Sequence, residues 1–353
     1  MLHPLFNSSG KIYISGPCSA ETEDQVIATA IQLSTDKRIH LLRAGIWKPR
    51  TNPDSFEGVG EIGLPWLKRA KEMTGLPVTT EVANARHVEK ALEYEIDVLW
   101  IGARTTVNPF QVQEIADALK GVSVPVMIKN PISPDIDLWQ GAIDRLIRSG
   151  INDIALIHRG FKTYGPTIYR NTPLWQLPIE MKRRHPEIPM ICDPSHICGN
   201  RSLIAQTAQI SIDLDFSGLM IESHPDPDHA WSDAAQQLKP NDLFSLLDSL
   251  VWRSPSVNDH ECNHALAEIR SEMDKVDANL VQLLGERMKL AEAIGLCKKE
   301  NNITILQTAR WNEIRAKLLE KAAEFGLSEA FIHQYIDAVH MESITHQNKI
   351  MNS

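Results

Sequence analysis

Residues Met190 to Arg201 read M-I-C-D-P-S-H-I-C-G-N-R. The apolar run Pro189-Met190-Ile191-Cys192 stops at Asp193-Pro194-Ser195-His196, the pattern of a buried strand running into a polar turn. His196 therefore falls just past a strand's C-terminal end. A second run, Gly218-Leu219-Met220-Ile221, ends the same way at Glu222-Ser223-His224-Pro225, and Asp233 follows. An imidazole and two carboxylates leaving neighbouring strand ends suggest a divalent-metal site. Cys18, at the end of the first apolar run, could complete it. Cys198 is the weaker competitor, and Cys192 and Cys198 otherwise read as structural.

Outward from this stretch, short apolar runs recur at 11–16, 40–44, 77–82, 98–103, 125–129, 153–158, 189–192 and 218–222. Each is followed by a stretch of helical periodicity: 21–34, 62–73, 85–94, 109–119, 135–148, 174–184, 201–212 and 228–238. Eight strand-then-helix units in roughly 240 residues fit a (β/α)8 TIM barrel. An open doubly wound sheet is the runner-up. It would carry a Gly-rich phosphate loop after its first strand, and none is present.

In such barrels the chemistry sits at the C-terminal strand ends. Those ends carry Gly16-Pro17-Cys18, Arg43 with Lys48-Pro49-Arg50-Thr51, Thr80-Glu81, Gly102-Ala103-Arg104, Lys129-Asn130 and His158-Arg159, then the two stretches above. Arg43, Lys48, Arg50, Arg104, Lys129 and Arg159 would repel one another at one mouth unless anions sit there. Arg forks match phosphate and carboxylate oxygens in pairs, and Lys adds point charges. One or two substrates bearing phosphate and carboxylate follow. Taken singly, each residue has an ordinary structural reading: a rim salt bridge, a small buried thiol, a braced turn. It is their agreement in one register that carries the site. Glu81 reads as orienting a neighbouring Lys or Arg.

The 353 residues suffice for a large domain plus a small one. Apolar residues make up 43%, ordinary for a globular chain, and the net charge is 36 − 45 = −9. That balance argues against nucleic-acid or membrane-surface partners and leaves small-molecule substrates. Five cysteines without a C-x-x-C pair, and a start lacking a basic-then-apolar leader, point to a reduced, cytoplasmic protein. No apolar run approaches the ~20 residues of a membrane span.

Beyond residue 252 the pattern changes. A barrel domain is expected over 1–252, a polar linker over 253–261, and an all-helical domain over 262–353. No proline occurs after Pro255, and Leu266, Ile269, Met273, Val276, Leu280, Leu283, Leu290 and Ile294 recur at helical spacing. Helices are expected at 260–299, 308–324 and 328–350. A first helix that long cannot bury its stripe alone, so a homodimer through the helical domain is expected.

Together the barrel motifs resemble the metal-dependent 3-deoxy-D-arabino-heptulosonate 7-phosphate synthases, in their compact branch without an added domain in front. Gly16-Pro17-Cys18, Lys48-Pro49-Arg50-Thr51, Gly102-Ala103-Arg104, Asp193-Pro194-Ser195-His196 and Glu222 to Asp233 carry the resemblance, with Lys48 to Thr51 the most specific. It implies condensation of phosphoenolpyruvate with erythrose 4-phosphate. It implies metal ligands Cys18, His196, Glu222 and Asp233, and phosphoenolpyruvate contacts from Arg43, Lys48, Arg104, Lys129 and Arg159. Arg50 and Thr51 would hold the erythrose 4-phosphate phosphate, and Lys48 would be the proton donor. The mixed ligand set implies one divalent ion per barrel; Mn is placed first, with Fe, Co or Zn as alternatives. The helical part resembles the all-helical chorismate mutases, through Arg270, Arg287, Lys298, Arg310, Ser343 and Gln347. Lys298 and Gln347 would serve the ether oxygen, and Arg270 would reach into the partner's site. Gln307 and Trp311 stand where that family usually has acids that hold the substrate hydroxyl.

The leading expectation is a bifunctional enzyme of aromatic amino acid biosynthesis, synthase plus mutase, with feedback inhibition by prephenate through the helical domain. The alternative keeps the synthase but makes the helices a sensor and dimerisation module without catalysis. A third reading is a related aldolase acting on another sugar phosphate.

Overall fold

The computed structural model describes residues 11–49, 54–254, 256 and 259–352. The chain divides into two compact units, residues 1–255 and 256–353.

In the first unit eight parallel strands close into a barrel in sequence order. They are β1 (Ile12–Gly16), β2 (Leu41–Arg43), β3 (Val78–Val82), β4 (Val98–Ile101), β5 (Val126–Lys129), β6 (Ile154–His158), β7 (Met190–Cys192) and β8 (Gly218–Glu222). Ile12, Ile14, Leu41, Val98, Trp100, Met127, Ile157, Ile191 and Met220 form the core inside the barrel. Alternate residues such as Leu42, Val78, Leu99, Ile128 and Leu156 pack outward under the helices. Both strand faces are thus buried, which is why the strands read as unbroken apolar runs. Closure pairs β1 with β8 and sets Gly16 opposite Glu222. That register brings Cys18 next to a carboxylate about two hundred residues away in the chain.

The covering helices are α1 (Glu23–Ser34), α2 (Gly63–Thr74), α3 (Ala85–Glu93), α4 (Ala103–Thr106), α5 (Pro109–Ala118), α6 (Ile136–Arg148), α7 (Gln176–Arg184), α8 (Pro194–Cys198), α9 (Ile204–Asp213) and α10 (Pro240–Ser249). Side chains of Thr22, Asn84, Asn108 and Asp135 cap α1, α3, α5 and α6 by accepting from the first turn, each worth about 1 kcal/mol.

Three departures from the sequence expectation matter for the site. Strand β4 stops at Ile101, because Gly102 O already accepts from Thr105 and Thr106 N and starts the short α4. The short α8 was unforeseen; Asp193 caps it and so aims His196. No helix spans 228–238. The chain instead makes two short 3-10 turns, with Asp233 at φ 52, and returns to bridge Ser223 through Leu238. Buried polar side chains at 236 and 237 hold that excursion where a helix would have carried them away from the rim.

The second unit has three helices: α11 (His260–Glu300), α12 (Thr308–Glu324) and α13 (Glu329–Asn352). Asp259 caps α11 by accepting from Glu261 N and Cys262 N. At 1.5 Å per residue, its 41 residues extend roughly 60 Å. Gly295 lets α13 approach: a Cβ there would stand 3.1 Å from Gln347 Cα. The apolar core of this unit is small, with Ala322, Ile332 and Ile336 buried and Trp311 and Leu319 against them. Ile269, Met273, Val276, Leu280, Leu283, Leu290 and Ile294 all lie half or more exposed along α11.

Candidate active sites

Four donor groups converge at the C-terminal rim of the barrel. Cys18, His196, Glu222 and Asp233 each offer one ligand atom, and these atoms lie within 4.8 Å of one another. His196 Nε2 is 3.6 Å from Glu222 Oε1 and 3.9 Å from Asp233 Oδ2, and Cys18 Sγ is 3.3 Å from that same Oδ2. On its other side His196 Nδ1 lies 3.0 Å from Asp193 Oδ1. That carboxylate accepts from Nδ1–H and leaves the Nε2 lone pair facing the cluster, as in carboxylate–histidine–metal triads. Glu222 Oε1 is buried and accepts no aligned hydrogen bond from the described residues. Two carboxylates, an imidazole and a thiol at these separations fit a divalent ion.

Charge compensation explains how such acids stay buried. Burial raises the Asp193 pKa, but His196 and Lys129 outweigh it and hold the carboxyl well below the usual range. Lys129 Nζ donates to Asp193 Oδ2 at 2.8 Å. Glu222 is likewise held low by His196 and by Arg43, whose Nη2 is 3.2 Å away. Burial, with Glu222 beside it, pushes the Cys18 thiol up to about 12, while Lys48 pulls the other way. Lys48 Nζ donates to Cys18 Sγ at 3.1 Å and also to Cys18 O.

Beside the cluster lies a cavity of about 350 Å³ lined by Lys48, Glu81, Arg104, Lys129, Arg159, Lys162, Arg170, Asn171, His196 and Asp233. Four of the six predicted cations line it. Arg43 sits beneath, 1% exposed, with Nε and Nη1 lacking a hydrogen-bond partner among the described residues. Arg50 and Thr51 fall outside the described residues. Burial brings the Arg159 guanidinium down to about 10, with Asp193 opposing and Arg170 and Arg104 adding to it. Arg43 and Lys129 both stand over the Trp100 ring, at 5.1 and 5.7 Å. Glu81 Oε2 accepts from Trp100 Nε1 at 3.1 Å, on the ring that Arg43 and Lys129 face. Gly102 makes room for it, since a Cβ there would lie 1.9 Å from Glu81 Oε1.

The helical unit has its own cavity, about 310 Å³, between α11, α12 and α13. Arg287, Lys298, Gln307, Arg310, Trp311, His340, Ser343 and Gln347 line it. Lys298 Nζ donates to Ile305 O at 2.6 Å and to Gln347 Oε1 at 3.1 Å. Arg287 donates to Ser343 Oγ and to Val339 O. Trp311 stacks on His340 with centroids 3.8 Å apart. No carboxylate among the described residues lines this cavity. Arg270 does not line it either. It lies 287 − 270 = 17 residues along α11, roughly 25 Å from Arg287.

Residues 8–256 match the family model described as the DAHP synthetase I family. The chain belongs to that family. Residues 269–348 match the model for chorismate mutase type II. A phospho-2-dehydro-3-deoxyheptonate aldolase of Thermotoga maritima is 33% identical over 246 residues, covering 70% of this chain and 69% of that one. The crystal structure of the Thermotoga maritima enzyme matches with a TM-score of 0.62 at 30% identity, covering 69% of this chain and 68% of that one. A 2-dehydro-3-deoxyphosphooctonate aldolase of Geotalea daltonii is 26% identical over 260 residues, 68% of this chain and 90% of that one. A DAHP synthase barrel fused to a type II chorismate mutase domain makes this a bifunctional shikimate-pathway enzyme, transferase and isomerase, acting on small molecules. No helix among the described residues is long and apolar enough to cross a membrane.

Sequence reasoning missed several residues of the synthase site. Asp193 stood in the quoted stretch, but as a turn residue; its cap and strand-end position were the available signal. Lys162, Arg170 and Asn171 lie in the irregular loop after β6, where no periodicity marks them. Gln236 and Gln237 were hidden in a stretch read as helix.

Proposed function

We propose that the barrel joins phosphoenolpyruvate to erythrose 4-phosphate with one water, giving 3-deoxy-D-arabino-heptulosonate 7-phosphate and phosphate, in a metal-dependent reaction. The observation that carries this is the four-donor cluster, two of whose members, His196 and Asp233, line a cavity together with Lys48, Arg104, Lys129, Arg159, Lys162 and Arg170. Cys18, His196, Glu222 and Asp233 would hold the ion, with Mn placed first. When bound, the ion supplies Lewis acidity to the sugar's aldehyde oxygen. Arg43, Lys48, Arg104, Lys129 and Arg159 would bind phosphoenolpyruvate, meeting its phosphate and carboxylate with charge-assisted hydrogen bonds. Arg50 and Thr51 would take the phosphate of the second substrate. Lys48, beside Cys18 at the cavity wall, would give a proton to the aldehyde oxygen as the new carbon–carbon bond forms. The cations would also stabilise charge on the departing phosphate.

The helical domain would rearrange chorismate to prephenate. Arg287 and Arg310 would hold carboxylates, while Lys298 and Gln347 would donate to the ether oxygen where negative charge grows. Gln307 and Ser343 would bind the remaining polar groups. Arg270 would come from a second copy, so the mutase works as a homodimer; the exposed apolar stripe on α11 supports this. Prephenate bound there would feed back on the synthase. The domains would run 1–252 and 262–353 with a linker at 253–261, and the unpaired cysteines support a cytoplasmic setting.

The test is reconstitution of the metal-free protein with single metals. Phosphoenolpyruvate is supplied with erythrose 4-phosphate and, in parallel, with arabinose 5-phosphate. Turnover of the five-carbon sugar alone would overturn the substrate reading. Chorismate loss is followed in the intact chain and in Arg287→Ala; no turnover in the intact chain would leave a sensor module. Equal sensitivity of the synthase to prephenate with and without residues after 252 would end the feedback proposal.

A further inference from the structure

We infer that Gln236 and Gln237 are positioning residues that choose which oxygen of each carboxylate faces the metal and tie the Cys18 loop to that choice. The inference rests on the metal reading proposed above. Both side chains are buried, 1% and 0% exposed, on adjacent positions of the excursion after β8. Gln236 Nε2 donates to Glu222 Oε2 at 2.7 Å. Its Oε1 accepts from Arg170 Nη1 at 2.7 Å, and that same nitrogen donates to Asp233 Oδ1 at 2.9 Å. Gln237 Oε1 accepts from Cys18 N at 2.9 Å, and its Nε2 donates to Ser232 O, next to Asp233, at 2.8 Å.

The partners fix both amide orientations. A carboxylate only accepts and a guanidinium only donates, so Gln236 has one workable way round. A backbone N–H and a carbonyl impose the same constraint on Gln237. With Glu222 Oε2 occupied by the amide, Oε1 is the oxygen left toward His196 Nε2. With Asp233 Oδ1 occupied by Arg170, Oδ2 is left toward Cys18 Sγ and His196 Nε2. Two neighbouring amides therefore brace three of the four proposed ligands. Neither is a metal ligand nor lines the cavity among the described residues, so neither needs to touch substrate.

The test uses the full chain stripped of metal and titrated with Co(II) against a competing chelator. Cobalt reports both affinity and, through its thiolate charge-transfer band, the presence of Cys18. Gln236→Leu and the isosteric Gln236→Glu remove the donor to Glu222 and are expected to weaken Co(II) binding about ten- to a hundredfold with the thiolate band retained. Gln237→Leu is expected to weaken binding similarly and to diminish the band, because Cys18 N loses its acceptor. Gln237→Glu keeps that acceptor and should restore the band. Melting of each apoprotein reports the folded fraction to which affinity is referred. Wild-type affinity and band in the folded fraction of all four variants would overturn the inference, whatever happens to their melting. A wild-type chain that binds no cobalt would instead remove the metal reading itself, and this inference with it.

Discussion

The two cavities of this chain, each proposed to grip a small polyanion, are built in opposite ways. The barrel cavity is assembled within one unit. Closure of β1 on β8 brings Cys18 to Glu222, and buried charges there are paired, Arg43 with Glu222 and Lys129 with Asp193. The helical cavity draws on three helices whose apolar core is a handful of residues, while the stripe on α11 lies open and Arg270 stands a long way from Arg287. A closed sheet can present residues from distant parts of the sequence at one rim. Three packed helices present what their facing turns carry, and Arg270 is left outside that set. The synthase site should therefore depend on an ion, and the mutase site on a second copy of the chain.

The most severe way to break the comparison is to remove the ion. Chelation, or Cys18→Ala or His196→Ala, is expected to cost the synthase several kcal/mol of transition-state stabilisation, about a thousandfold or more, while chorismate turnover is unchanged. Parallel assays of both reactions in one sample decide it; equal loss of both would mean that these residues hold the fold rather than an ion. Next in size is Arg287→Ala. Removing one partner of a charged contact is expected to cost about 3–4 kcal/mol here, so mutase kcat/KM should fall about 10²–10³-fold with the synthase intact.

The contrast also explains what could be read from the chain. The barrel was legible because each strand is buried on both faces and ends in a turn carrying a charged, metal-binding or hydrogen-bonding group, so the strand ends fall into register without coordinates. His196, Glu222 and Asp233 emerged from that register. Arg170 did not, because its loop after β6 has no period, and Gln236 and Gln237 did not, because Asp228 to Leu238 mimics helical spacing. The fold there follows from buried amide hydrogen bonds that leave no trace in a hydrophobic pattern. In the helical unit the three helices were legible within two residues of their ends, since period and missing proline carry that information. The cavity's emptiness of carboxylate was foreshadowed by Gln307 and Trp311. The stacking of Trp311 on His340 was not, because it depends on how α12 and α13 meet.

A smaller effect sharpens the dependence on a second copy. Met273→Glu with Leu280→Glu places two charges on the exposed stripe of α11. Burying an unpaired charge at an interface costs several kcal/mol, so the chain should sediment as smaller species at micromolar concentration. Mutase activity should drop about tenfold and become concentration-dependent, with the synthase rate per chain kept. Undiminished mutase activity in a monomeric variant would show that the helical site is complete by itself.

The smallest effect concerns Lys298, which is 9% exposed and donates to Ile305 O and Gln347 Oε1. Burial lowers its pKa from the ordinary lysine value. The ammonium is the working form, because a neutral amine cannot stabilise negative charge growing on an ether oxygen. Mutase kcat should therefore be flat through neutral pH and fall as pH rises through the lowered pKa, on a limb that begins below the usual lysine range. Lys298→Arg keeps a cation that does not titrate there, at the cost of a changed donor geometry. It should reduce kcat several-fold at neutral pH and move the alkaline limb upward. The synthase profile should be indifferent to this substitution, since the group it alters belongs to the other unit. An alkaline limb that stays in place in Lys298→Arg would assign the titration to another group and remove Lys298 from the chemistry.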